Sequence, residues 1–202
     1  SHGPWWRLRR PLRGAGPLMR WLLAFCALLF AFVAKAEAAD EGRFITKDVA
    51  SSHVGQTRIT IWLPPGYDRD RKRRHPVLYM VDGQNLFDPK RSNFNKVWAV
   101  DKAALKLIRE RKVAPFLIVG IDHPGPKRFN HYFPTKVPRA TFRQGIEGFA
   151  GPLQGDDFLG FVSEELKPRI DREYRTRPEP SSTAIGGSSM GGLISLYALA
   201  ER

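Results

Sequence analysis

A serine between two glycines lies close to the C-terminal end of the sequence. Residues 187–191 read GSSMG, a match to the G-x-S-x-G pattern, after a short apolar segment and before an apolar helical pattern. That context is typical of a nucleophile elbow, a sharp strand-to-helix turn that presents a serine hydroxyl for attack on an acyl carbon. Centring the pattern on Ser188 would put Met190 at the second glycine position, so Ser189 is the candidate nucleophile. The alternative interpretation is a glycine-rich turn with a capping serine.

The elements that must position this serine are strands and helices in alternation. Residues 57–63 alternate polar and apolar, and 76–81 and 115–121 are almost continuously apolar, as strands covered on both faces are. A weaker strand is expected near Phe44. Helical periodicity covers 97–111 and 158–170, where Pro168 should kink the helix. We therefore predict an α/β fold: a mostly parallel sheet with helices on both faces.

Three segments fall at one edge of the predicted sheet. Residues 82–88 follow the second strand, the long irregular loop 122–153 follows the third, and Ser189 follows the last. In sheets of this kind, ligands bind beyond the carboxyl ends of the strands. The sequence thus predicts a site at that edge.

The first forty residues have a composition of their own. Residues 1–18 are rich in Arg, Pro and Gly, and Met19 is followed by an apolar run over 21–34 and by A-x-A sites at 34–38. We predict that 19–38 is a signal peptide, that 1–18 is upstream sequence translated by mistake, and that the protein is exported to the periplasm or secreted. About 14 apolar residues are short for a ~20-residue span, so no stable membrane span is expected after cleavage. A twin-arginine signal at residues 9–10 is a weaker alternative.

Composition and charge argue against several other classes of function. The chain is 42% hydrophobic and 26% charged, as in globular proteins, and its formal net charge is +13. The densest basic run, 69–74, has no interleaved aromatic residues, so we interpret it as a solvated loop and predict no nucleic-acid partner. Cys26, the one cysteine, lies in the predicted signal peptide, which excludes cysteine metal sites from the mature chain. No metal cluster, P-loop or dinucleotide fingerprint is visible, and no cofactor is predicted.

Over residues 57–202 the sequence resembles the esterase family of α/β-hydrolases. That family includes siderophore, feruloyl and acetylxylan esterases, S-formylglutathione hydrolases and mycolyltransferases. The matching segments are WLPPGYD at 62–68, VLYMVDGQNLFD at 77–88, VGID at 119–122 and IGGSSMGG at 185–192. The resemblance implies an α/β-hydrolase fold, no cofactor, and a small-molecule, glycan or siderophore ester as substrate.

The resemblance also implies roles for individual residues. Ser189 looks like the nucleophile, and the backbone N–H groups of Gln84 and Met190 look like the oxyanion hole. Arg128 and Tyr132 resemble an Arg-to-Tyr segment of the family's substrate loop, where an arginine can bind an anionic group. His131 stands where an acidic residue is common in that segment.

The order of the family's triad is the main departure. In the family an Asp or Glu and then a His follow the serine, whereas the histidines of this chain, at 2, 53, 75, 123 and 131, all precede it. We expect 41–202 to be the N-terminal part of an esterase domain, incomplete at its C-terminus, nearly inert alone and with an aggregation-prone sheet edge. His123 or His131 could substitute as the base, although a surface or structural histidine is favoured.

Two alternatives to an esterase stay open. An acyltransferase would use the same site with an alcohol replacing water, and a non-catalytic binding domain would keep the fold without the triad. The acyl and alcohol groups of the substrate and the oligomeric state are not predicted.

Overall fold

The computed structural model describes Trp21 and residues 41–136 and 151–201. The chain divides into two units, Ser1–Asp40 and Glu41–Arg202, and the second contains the sheet and the predicted site. The predictions on 1–18, on the signal peptide apart from Trp21, on Cys26 and on 137–150 of the long loop lie outside the described residues.

The strands of the described residues form one five-stranded sheet in the order β1-β2-β4-β3-β5. They are β1 Arg43–Val49, β2 Thr57–Leu63, β3 Val77–Val81, β4 Leu117–Ile121 and β5 Thr183–Gly186. β3 is parallel to both β4 and β5, whereas β2 is antiparallel to β1 and β4. The sheet is therefore mixed, and the prediction of a mostly parallel sheet holds only for β4-β3-β5. A short turn joins β1 to β2, and strands joined in this way pair as an antiparallel hairpin.

Five α-helices accompany the sheet within the described residues. They are α1 Val100–Arg109, α2 Arg128–Tyr132, α3 Gly155–Gly160, α4 Lys167–Glu173 and α5 Met190–Glu201. A π-helical segment, Phe161–Leu166, joins α3 to α4 directly ahead of Pro168. A proline removes one N–H donor and crowds the carbonyl four residues earlier, so the irregularity predicted at Pro168 takes the form of this wider turn.

The core lies on both faces of the sheet. On one face, alternate residues of the central strands, such as Tyr79 and Val119, pack against Phe158, Phe161 and Ile194 of the helices. On the other face, a smaller cluster joins Trp62 and Ile118 to α1. Helices on both faces are thus confirmed, and so is the α/β fold.

One edge of the sheet carries exposed apolar surface. Among the described strands, β5 pairs only with β3. The adjoining α5 exposes Leu196 by 68% and Leu199 by 78% of their surface. Within the described residues, no helix is both long enough and apolar enough to cross a bilayer.

Candidate active site

The turn between β5 and α5 has the geometry that the GSSMG pattern predicts. Ser189 is exposed and has a φ of 56°, a left-handed conformation that costs a residue with a Cβ free energy. A Cβ built on Gly187 would lie 2.3 Å from Val81 Cγ2 and 2.8 Å from the carbonyl carbon of Gly191. One built on Gly191 would lie 2.7 Å from the same methyl group. The backbone of Gly187 therefore lies too close to the start of α5 for a side chain, and a side chain at Gly191 would meet Val81 of β3.

The N–H group of Met190 is available beside this serine. Met190 is the first residue of α5, and its side chain packs against the larger core. The N–H groups of Gly191 and Gly192 donate to the carbonyl oxygens of Ser188 and Ser189, at 2.8 and 2.9 Å. The Met190 N–H has no acceptor among the described residues, as is usual in the first turn of a helix. A helix N-terminus with a free donor favours negative charge.

Gln84 lies in the turn after the neighbouring strand. Gly83–Asn85 form one turn of 3-10 helix directly beyond β3, and β3 and β5 are adjacent and parallel. The two turns therefore leave the sheet at the same edge. The backbone N–H of Gln84 also lacks an acceptor within the described part of the chain, while its side-chain Oε1 accepts a hydrogen bond of 3.2 Å from the His123 N–H.

A cavity of about 860 Å³ opens in front of the serine. Its walls combine aromatic rings, basic side chains and the residues of the elbow. They include Ser188, Ser189, Asp82, His123, Arg128, Phe94, Trp98, Phe129, Lys96 and Lys127. Of the predicted site residues, Ser189 and Arg128 are in this wall, whereas Gln84, Met190 and Tyr132 are not. For Gln84 and Met190 the predicted role belongs to the backbone, so the position of their side chains does not test it.

Arg128 and Tyr132 both bind Asp82, a residue for which the sequence patterns predict no individual role. The Arg128 guanidinium donates through Nε and Nη2 to the two carboxylate oxygens of Asp82, at 2.6 and 2.7 Å. This hydrogen-bonded pair raises the pKa of Arg128 above its already high ordinary value. Tyr132 is completely buried, and its hydroxyl accepts a 3.1 Å hydrogen bond from the Asp82 N–H. Tyr132 therefore lies behind the cavity wall, bonded to protein groups.

His123 is in the cavity wall but is not arranged as a base for Ser189. Its Nδ1 accepts a 3.0 Å hydrogen bond from the Gly125 N–H, so the neutral ring carries its proton on Nε2. Nε2 is buried and has no partner among the described residues. Burial lowers the pKa of His123, which favours this neutral form. A triad base needs the opposite tautomer, with Nδ1–H held by a carboxylate and Nε2 free to take a proton.

His131 is a structural residue. It is 5% exposed, is absent from the cavity wall and packs on Phe158 with ring centroids 6.3 Å apart. Burial lowers the pKa of its ring. Of the two histidines weighed as substitutes for a triad base, neither has the required arrangement.

Two features of the site could not be expected from sequence patterns. Phe94 is 92% exposed and has a φ of 59°, so a large ring stands in the cavity wall in a conformation that its residue type disfavours. Asp82 also has a φ of 59°, and the only local sign is that Asp tolerates this region better than most residues. Across the described residues, no three His, Cys, Asp or Glu side chains are grouped so as to hold a metal ion.

A serine elbow at the carboxyl edge of a sheet with helices on both faces defines the class of protein, the α/β-hydrolase fold. The family model described as "Putative esterase" matches residues 51–202, and the chain belongs to this family. The basic run 69–74, inside the matched range, lies in an exposed loop.

Individual relatives support the family. The chain is 28% identical over 154 residues to the uncharacterized protein YbbA of Bacillus subtilis, covering 76% of this chain and 55% of that one. It is 26% identical over 133 residues to the ferri-bacillibactin esterase BesA of the same organism, covering 62% and 42%. An IroE-like serine hydrolase from Shewanella oneidensis superposes with a TM-score of 0.63 at 25% identity, covering 78% of this chain and 46% of the other. The chain thus spans about half the length of the curated relatives it matches.

Proposed function

We propose that the protein is a serine carboxylic-ester hydrolase that works through an acyl-enzyme on Ser189. The observation that carries the proposal is the left-handed, exposed Ser189 in the wall of a cavity, on a turn too tight for side chains at Gly187 and Gly191. Membership of the esterase family supports the same reaction.

The chemistry assigns a task to each group. The Ser189 oxygen attacks the ester carbonyl, the alcohol leaves, and water then hydrolyses the acyl-enzyme. Negative charge develops on the carbonyl oxygen in both steps, and the free N–H groups of Met190 and Gln84 are our candidates to stabilise it. The attack also requires a general base, and neither His123 nor His131 has the tautomer or position for it. That a His and an acidic residue following Ser189 supply this function, as the resemblance implies, stays a prediction.

The cavity suggests which esters are preferred. Three aromatic side chains, Phe94, Trp98 and Phe129, share the wall with the basic residues Lys96 and Lys127. Aromatic rings favour a flat acyl group, and the lysines favour a substrate with negative charge. Of the small-molecule, glycan and siderophore esters that the family resemblance offers, we therefore favour an anionic aromatic ester of the siderophore type. The related ferri-bacillibactin esterase is consistent with this choice.

The test compares two adjacent serines in the complete protein. We expect p-nitrophenyl acetate to give a burst, and a fluorophosphonate probe to label the peptide that contains residue 189. Ser189→Ala should abolish the burst and the label, whereas Ser188→Ala, a matched exposed neighbour, should retain both. Unchanged turnover in Ser189→Ala would refute the proposal, and a complete protein that neither turns over nor labels would favour the non-catalytic alternative.

Two further measurements address the open alternatives. Product analysis with added alcohols separates hydrolysis from acyl transfer, because a transferase forms the new ester in preference to the acid. N-terminal sequencing of the exported protein tests the predicted signal peptide: a mature N-terminus near residue 39 supports it, and retention in the cytoplasm contradicts it.

A further inference from the structure

Asp82 is held in an unfavourable state at the end of β3. It is 1% exposed, and its φ of 59° and ψ of 43° lie in the left-handed region. A buried carboxylate and a left-handed backbone both persist only when the surrounding structure compensates them. The contacts of Asp82 therefore indicate the role of this residue.

Four hydrogen bonds fix this residue. Arg128 binds both carboxylate oxygens in a fork at 2.6 and 2.7 Å, and the Asp82 N–H donates to the Tyr132 hydroxyl at 3.1 Å. The Asp82 carbonyl oxygen accepts from the Asn85 N–H at 2.9 Å. Side chain and backbone of Asp82 are both restrained, and we call Asp82, Arg128 and Tyr132 the Asp82 clamp.

The clamp is itself anchored to the core. Arg128 and Tyr132 are the first and last residues of α2, one helical turn apart, so both side chains lie on one face of the helix. The Arg128 guanidinium lies over the Tyr132 ring at 5.1 Å, and that ring packs on Phe158 with centroids 5.2 Å apart. The fork is thus supported by a fully buried aromatic side chain.

The clamp also touches both halves of the proposed oxyanion hole. The turn Gly83–Asn85, which contains Gln84, follows Asp82 directly along the chain. On the other side, Asp82 Oδ2 lies 3.3 Å from the position of a Cβ on Gly191, in the first turn of α5 after Met190. A shift of Asp82 would therefore move the Gln84 N–H relative to the Met190 N–H.

We propose that Arg128 and Tyr132 are positioning residues, which hold Asp82 so that the N–H of Gln84 is aligned with that of Met190 across the ester carbonyl. The proposal rests on the proposed esterase function. It replaces the expectation that these two residues bind substrate. The alignment of these N–H groups affects the rate of reaction with every ester, whatever its charge, because all esters have the carbonyl oxygen.

The charge of the substrate distinguishes a positioning role of Arg128 from direct binding of the substrate by Arg128. For the complete protein, we expect Arg128→Met to lower kcat about 10²-fold, both for p-nitrophenyl acetate and for an anionic aromatic ester, with KM for the neutral ester nearly unchanged. A misplacement of about 1 Å or the loss of one oxyanion donor has this order of effect. If Arg128 instead binds the substrate's anionic group, only the anionic ester is affected, through KM, and the proposal is overturned.

Two more variants keep the test decisive if Arg128→Met folds poorly. Tyr132→Phe removes one hydroxyl and keeps the ring, so it should fold and lower kcat for both esters by a smaller factor. Arg43→Met is the matched control, because Arg43 makes the same fork with Asp68 at 3.1 and 3.1 Å on the exposed surface. It should leave both esters unaffected, and a loss equal to that of Tyr132→Phe would contradict the clamp.

Hydrogen exchange tests the clamp without any catalytic step. The N–H groups of Asn85 and Leu86 are bonded to the carbonyl oxygens of Asp82 and Gly83 at 2.9 and 3.2 Å. We expect both to exchange faster in Arg128→Met and Tyr132→Phe than in the wild type or in Arg43→Met. Unchanged exchange refutes the clamp, whereas absence of labelling at Ser189 in the wild type refutes the proposed function; each can fail without the other.

Discussion

Two adjacent glycines at the end of β5 should respond to the same substitution in opposite directions. A Cβ on Gly187 would meet Val81 Cγ2 at 2.3 Å and backbone at 2.8 Å, whereas a Cβ on Gly186 would meet nothing within 4 Å. Gly187→Ala forces the elbow apart, and Gly186→Ala adds a methyl group in open space. The pair is matched in residue type, neighbourhood and change, so the difference isolates the close approach of strand and helix.

The magnitudes follow from these distances. Forcing one extra methyl into a packed site costs about 1–3 kcal/mol. For a domain of this size, about 2–4 °C of Tm correspond to each kcal/mol, so Gly187→Ala should lower Tm by roughly 2–12 °C. Gly186→Ala should leave Tm unchanged or raise it, because replacing Gly by Ala at a compatible position stabilises by about 0.4–1 kcal/mol through the unfolded chain.

A third variant identifies the atoms responsible. The Cβ position on Gly191 is closest to Val81 Cγ2 and meets no backbone, so Val81→Ala should partly rescue Gly191→Ala. It should not rescue Gly187→Ala, which also meets the carbonyl carbon of Gly191. Val81→Ala by itself costs about 1.5 kcal/mol, because it removes buried methyl groups.

Thermal unfolding followed by circular dichroism measures these changes, and fluorophosphonate labelling reports the effect on Ser189. We expect Gly187→Ala to label more slowly than Gly186→Ala at a temperature where both are folded. The prediction is refuted if Gly187→Ala is as stable as the wild type, or if Gly186→Ala and Gly187→Ala lower Tm by the same amount.

Other predictions concern buried titratable groups. Burial lowers the pKa of three histidines, His75, His123 and His131. The unfolded chain therefore binds protons below about pH 6.5 that the native state does not. The midpoint of urea unfolding should decrease as the pH is lowered from 7 to 5 and recover when the pH is raised again. His131→Phe, which keeps a ring against Phe158, should flatten that dependence; an equally steep profile would contradict it. Arg91→Met should cost more stability than Arg58→Met, because Arg91 pairs with Asp122, whose pKa burial raises, whereas Arg58 pairs with an exposed carboxylate that solvent screens. Equal losses in urea unfolding would refute this ranking.

Local patterns predicted the parts of the molecule that local forces determine. Alternation gave β2 the bounds Thr57–Leu63 that the structure shows, and the spacing of glycines about Ser189 anticipated the close contact of β5 with α5. Both depend on neighbours in the chain. The fold class and the helices on both faces followed from the order of these elements.

The remaining features depend on residues far apart in sequence. The antiparallel pairing of β2 with β4 joins segments about sixty residues apart, and nothing in either strand specifies the direction of its partner. The fork between Asp82 and Arg128 spans 46 positions. It joins Arg128, which the family resemblance places among the substrate-binding residues, to the residue that precedes the turn after β3. The left-handed conformation of Asp82 occurs at a residue that such contacts restrain, and residue preferences do not record them.

The parallel part of the sheet explains why these features meet. Because β3 lies between β4 and β5 and runs parallel to both, the turn at 83–85, the loop that begins at Asp122 and the serine elbow all leave the sheet at one edge. The hairpin turn between β1 and β2 also lies at that edge, because Val49 pairs with Thr57 and Ile59 pairs with Ile121, but residues 50–56 do not line the cavity. Selection of substrate can then change in the loops that carry Phe94 and Lys127, while the elbow and the Asp82 clamp keep the same alignment. A division of this kind fits a chain whose relatives include a ferri-bacillibactin esterase and a feruloyl esterase.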